Sequence, residues 1–168
     1  MDLIIEKARP EDAAALLACL NQVGGESDNL TFGAEGMPFT VEEEDDFLRS
    51  MENSQNAAMF VAKLDGKVIG NASFSSSPRE RLKHRGELAV SVLKEAWGMG
   101  VGTKLMEAVI DFARNTAQVE IIHLEVRSDN IRAIKLYEKF GFQKIGTFHG
   151  FMKIDGKLVD CDLMNLYL

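Results

Sequence analysis

Val92-Leu93-Lys94-Glu95-Ala96-Trp97-Gly98-Met99-Gly100-Val101-Gly102-Thr103-Lys104-Leu105 decides the fold of this 168-residue chain. The apolar residues before it predict a strand that ends at Val92. Gly98, Gly100 and Gly102 follow at alternate positions, and Leu105, Val109, Phe112 and Ala113 then share one face of a helix. Glycine lets the backbone turn tightly and lets a ligand approach the amides. A helix N-terminus carries unpaired N–H groups and a partial positive charge. The stretch therefore suits a phosphate or pyrophosphate. The same pattern also serves as a plain tight turn.

Two common phosphate loops do not match. A Walker loop needs Gly-Lys followed by Ser or Thr, whereas Gly102 is followed by Thr103-Lys104. The dinucleotide fingerprint needs Gly-x-Gly-x-x-Gly, but Gly100-Val101-Gly102 leads to Leu105.

A second unit lies about thirty residues on. Ile122, Leu124 and Val126 alternate as in a strand. Asp129 or Asn130 can cap a helix, and Ala133, Leu136, Tyr137 and Phe140 recur at helical spacing before a stop at Gly141. The two strand–turn–helix units could lie side by side, with both strand ends facing one cleft.

On these residues the chain resembles the GNAT superfamily of acetyl-coenzyme A-dependent N-acetyltransferases. Val92, Trp97 and Gly100-Val101-Gly102 have the spacing of that family's first signature, which usually has Arg or Gln where Trp97 stands. Asn130, Ala133, Leu136-Tyr137 and Gly141-Phe142 match its second signature. The resemblance covers most of the chain. It implies an α/β, single-domain fold over 1–168, with a mixed, mostly antiparallel central sheet flanked by helices. The middle strands splay apart, and the thioester arm of acetyl-CoA lies in the gap. Trp97 brings no charge to a pyrophosphate; its indole is expected to pack the loop against the following helix.

Composition sets outer bounds. A chain of this length buries about 70% of its unfolded surface, so no disulfide or structural metal is needed. Cys19 and Cys161 read as free buried thiols of a cytoplasmic protein. His84, His123 and His149 are scattered, which argues against a metal. Nothing resembles a signal peptide or a membrane span. The net charge of −7 argues against nucleic acid and mildly favours a cationic acceptor such as an amine.

The remaining elements follow from local signals. Leu3 to Ala8 reads as a strand, and Pro10 to Leu20 as a helix. Residues 24–40 read as the loosest stretch. Thr40 and Glu43 predict a capping box, followed by a helix with Val41, Phe47, Leu48 and Met51 inward. Asp65-Gly66 and Asp155-Gly156 predict two hairpins. The apolar C-terminal hairpin could support a homodimer or be the last buried strand of the sheet.

Acetyl transfer to an amine needs a base, a donor for the developing oxyanion and an acid for the departing thiolate. The resemblance points to Tyr137 as the acid and Glu87 as the base, with Glu125 as an alternative. It assigns the cofactor to Val90, Val92, Trp97, Gly98, Met99, Gly100, Val101, Gly102, Thr103 and Asn130. Tyr137 could instead be a core aromatic, Glu87 a solvated carboxylate, and Asn130 only a cap. In the resembled fold the loop 24–39 lines the acceptor site, so Asn29 and Phe32 become candidates there. The run Glu42-Glu43-Glu44-Asp45-Asp46 is explained by the helix dipole. An acyl-CoA sensor without turnover is the alternative function.

Overall fold

The computed structural model describes residues 2–168. Strands β1 (Leu3–Lys7), β2 (Ala57–Leu64), β3 (Lys67–Ser76) and β4 (Arg85–Val92) form an antiparallel half-sheet. β5 (Ile121–Arg127), β6 (Gln143–Ile154) and β7 (Lys157–Tyr167) form the other half, with β7 inserted between β5 and β6. The seven strands run in the order β1-β2-β3-β4-β5-β7-β6. The C-terminal strand is therefore interior, and β6 is the edge.

The two halves meet in a short parallel pairing, Arg85↔Ile121, Gly86↔Ile122 and Glu87↔His123. Beyond it the strands part. β4 stays paired with β3 as far as Val92↔Gly70, and β5 with β7 as far as Arg127↔Cys161. From Leu88 and Leu124 onward, each strand has one edge free of the other.

Both predicted hairpins form. Asp65 and Gly66 (φ 49° and 87°) and Asp155 and Gly156 (φ 49° and 77°) take the left-handed values that a tight two-residue turn requires. α3 (Val101–Asn115) buries Leu105, Val109, Phe112 and Ala113 as one stripe. Phe112 meets Phe60 and Phe74 edge-on, with centroids 6.3 and 6.0 Å apart, which seats α3 on β2 and β3. α4 (Ile131–Lys139) lies close to the first turn of α3, where a Cβ on Gly102 would sit 3.2 Å from Leu136.

α1 (Ala13–Glu26) runs past the expected end at Leu20 and through Gly24 and Gly25. The reason is tertiary. The following loop folds back on the helix, and a Cβ on Gly24 would collide with the Gly33 carbonyl and lie 2.8 Å from the Phe32 ring. A glycine read as a breaker is there for close approach.

α2 (Val41–Met51) also differs from its periodic reading. Val41 and Phe47 point outward, at 47% and 49% exposure, while Leu48 is buried. Glu44, one turn before Leu48, takes the inward position, and burial raises its carboxyl above the ordinary range. Thr40 caps the helix by accepting from the Glu43 N–H at 3.1 Å, and its hydroxyl donates to the Glu43 carboxylate at 3.2 Å.

The extended α1 makes two neighbouring glycines respond oppositely. Gly25→Ala meets only ordinary contact with Ala34 and should stabilise by about 0.5–1 kcal/mol. Gly24→Ala should destabilise by about 1–3 kcal/mol. Urea unfolding of the two variants checks this; equal effects would contradict a helix that continues to Glu26.

Candidate active site

Where β4 and β5 part, a cavity of about 440 Å³ opens between the strand ends, the glycine turn and α4. Its size lies in the range of small-molecule sites, roughly 300–1,000 Å³. Val90, Ser91 and Val92 supply one wall, and Asn130, Ala133, Leu136 and Tyr137 supply another. Trp97, Gly98 and the residues 100–103 form the mouth, and Ser27, Asn29 and Leu30 close the side beyond α1.

The glycine turn is shaped by backbone conformation. Gly98 and Gly100 have φ of 81° and 78°, values that disfavour any side chain. Nothing lies within 4 Å of where their Cβ atoms would be, so the space before them is open. Gly100 caps α3, and the Lys104 N–H donates to its carbonyl at 3.1 Å. The N–H groups of Val101, Gly102 and Thr103 precede that bond and have no acceptor within the helix. They form an anion-binding N-terminus at the cavity mouth.

Trp97 is held by a hydrogen bond and two cations. Its indole N–H donates to the Val92 carbonyl at 3.0 Å. The ring lies under the Arg132 guanidinium of α4, 4.4 Å from the ring centroid, with Lys94 at 5.9 Å. The indole remains 38% exposed.

Tyr137 is buried on α4, its ring 6.0 Å from that of Phe142, and borders the cavity. Burial pushes its phenol up to about 12, so it keeps its proton through the neutral range. Asn130 is the helix cap that the sequence offered. Its side-chain oxygen caps α4 by accepting from the Ala133 N–H at 3.3 Å, which leaves the amide nitrogen as a donor beside the cavity.

Other candidates are less central. Glu87 is exposed on β4, opposite Ser75 and His123, outside the cavity lining. Glu125 faces His123 at 3.7 Å, and His123 Nδ1 lies 2.7 Å from Asn165 Oδ1. Asn29 lines the cavity, whereas Phe32 packs on Gly24 and Met99 turns outward. Sequence reasoning missed Ser91, Arg127 and Arg132. Arg127 pairs with Asp129 at 2.6 Å and donates to the Asp28 carbonyl at 3.2 Å, tying the loop after α1 to the β5–α4 turn. One signal for Arg132 was available: a cation in the first turn of a helix opposes the dipole.

A sequence profile of the acetyltransferase (GNAT) family matches residues 29–142. The L-amino acid N-acetyltransferase AaaT of Escherichia coli (strain K12) is 34% identical over 104 residues, which are 62% of this chain and 64% of that relative. The match thus spans less than two thirds of that relative's length. The crystal structure of an acetyltransferase of the GNAT family from Streptococcus pneumoniae superposes with a TM-score of 0.96 at 33% identity, covering 99% of this chain and all of that one. The yncA protein of Salmonella typhimurium, solved with its cofactor acetyl-CoA, shares the fold at a TM-score of 0.86 and 21% identity, over 100% of this chain and 95% of that one.

Proposed function

The chain belongs to the acetyltransferase (GNAT) family, and from that premise we propose that it transfers the acetyl group of acetyl-CoA to a primary amine. The observation that carries this reading is the parting of β4 and β5 beside the glycine turn, which joins a free strand edge to an anion-binding helix end. The open space before Gly98 and Gly100 and the free amides of Val101, Gly102 and Thr103 fit a pyrophosphate. The backbone of Val90 and Val92 fits an extended pantetheine arm in β-like pairing, and the Asn130 amide nitrogen can donate to it. Trp97, Gly98 and Met99 complete the loop around the phosphates. Bound acetyl-CoA supplies the thioester.

The amine nitrogen bonds to the acetyl carbon as the carbon–sulfur bond breaks. One proton must leave the amine and one must reach the sulfur. Tyr137, which keeps its proton at neutral pH, is the donor to sulfur. Glu87 accepts the amine proton through water, as befits an exposed carboxylate outside the cavity wall; Glu125 is the alternative acceptor. Asn29, in the cavity lining, and Phe32, packed on Gly24, orient the acceptor on the α1 side. The amino-acid acetyltransferase among the relatives supports a small primary amine, and a peptide N-terminus presents the same group. That relative is named for a transfer activity, which favours turnover over a sensor without it.

The free, buried Cys19 and Cys161 support a reducing, cytoplasmic setting. No helix among the described residues is long and apolar enough to cross a membrane. A second copy could pair along β6, which presents Ile145 and Phe148 outward at the sheet edge.

Thiol release from acetyl-CoA across a panel of amines and short peptides tests the reading; release with one amine class is expected, and binding without release on every acceptor would favour the sensor. Tyr137→Phe should lower turnover by about 10²–10⁴-fold while coenzyme A affinity stays within about threefold. Full turnover in that variant would remove Tyr137 as the acid.

Gly100 offers a second check. Asn tolerates the left-handed conformation at φ 78°, so Gly100→Asn should fold and bind coenzyme A nearly as the wild type does. Gly100→Asp adds a negative charge facing the phosphates and should bind about tenfold more weakly than the Asn variant. Equal affinities by calorimetry would remove the pyrophosphate assignment.

A further inference from the structure

We propose that Arg132, stacked on Trp97, is the cation that engages phosphate at this cleft, and that Trp97 acts as its platform. The inference rests on the acetyl-CoA reading and deepens it. Arg132 is the one charged side chain among the described residues lining the cavity. It stands there in a chain of net charge −7. Its guanidinium lies 4.4 Å from the Trp97 ring centroid, and the indole is itself fixed by the 3.0 Å bond to the Val92 carbonyl. Trp is the best of the aromatic faces for a cation. The stack therefore fixes the guanidinium in the same cavity that Gly98, Gly100 and the first residues of α3 line.

Its donors are also available. Among the described residues, no carboxylate lies within salt-bridge distance of Arg132. Arg127, at the end of the preceding strand, is neutralised by Asp129 at 2.6 Å. Arg132 occupies the first turn of α4, where the dipole opposes a cation and no local carboxylate compensates it. A phosphate would supply that compensation, and the planar guanidinium matches two phosphate oxygens at once. The amides of α3 and the arginine of α4 would then grip the phosphates from two helices.

Calorimetry with coenzyme A and with pantetheine, which lacks phosphate, tests this. Arg132→Ala should weaken coenzyme A binding about tenfold, flatten its salt dependence and leave pantetheine unchanged. Trp97→Leu should weaken coenzyme A in the same direction, and Trp97→Phe should recover most of the loss by restoring an aromatic face. In the Arg132→Ala background, Trp97→Arg should restore affinity by returning a cation to the mouth. Unchanged coenzyme A affinity in Arg132→Ala, or equal losses for coenzyme A and pantetheine, would overturn the proposal. A wild-type chain that binds no coenzyme A would overturn the parent reading, and this one with it; tight wild-type binding unaffected by Arg132→Ala overturns this one alone.

Discussion

Backbone N–H and C=O groups require partners, and the short pairing of β4 with β5 leaves a row of them without a neighbouring strand. Pairing stops at Glu87↔His123, while each strand continues on its outer side. The gap is not a weak place in the sheet. β3 and β7 pair with the two strands along their outer sides, and α3 and α4 are the next α-helices after their ends. Everything at the site depends on this arrangement. The glycine turn must begin where β4 ends, Asn130 must cap α4 where β5 ends, and the cavity is the wedge between them.

The chemistry of the wedge is asymmetric. Its inner wall is apolar and holds a phenol that burial keeps protonated. Its mouth carries left-handed glycines, free amides and one arginine on an indole. An elongated molecule with an anionic end and a reactive, nearly neutral end matches that gradient. No carboxylate lines the cavity among the described residues, and Glu87 stands exposed on β4 outside its lining.

Much of this was legible in the sequence because its causes are local. A dipeptide that needs positive φ announces a hairpin, and Gly100 followed by an amphipathic stripe announces the start of α3. What was not legible depends on distant contacts. Gly24 reads as a helix breaker until Phe32 and Gly33 fold back onto it. Val41 and Phe47 read as core until Glu44 and Leu48 claim the inward face of α2. The meeting of Trp97 with Arg132 across thirty-five positions follows only from the seating of α4 against the turn, whereas the Asn130 cap was a local signal.

Amide hydrogen exchange, with and without saturating coenzyme A, tests the central claim most directly. If the free edge of β4 and the start of α3 receive the ligand, amides within 88–92 and 101–103 will exchange more slowly when it is bound, while β1 and β2 stay as they were. Binding that protects other segments and leaves both of these unchanged would contradict the account.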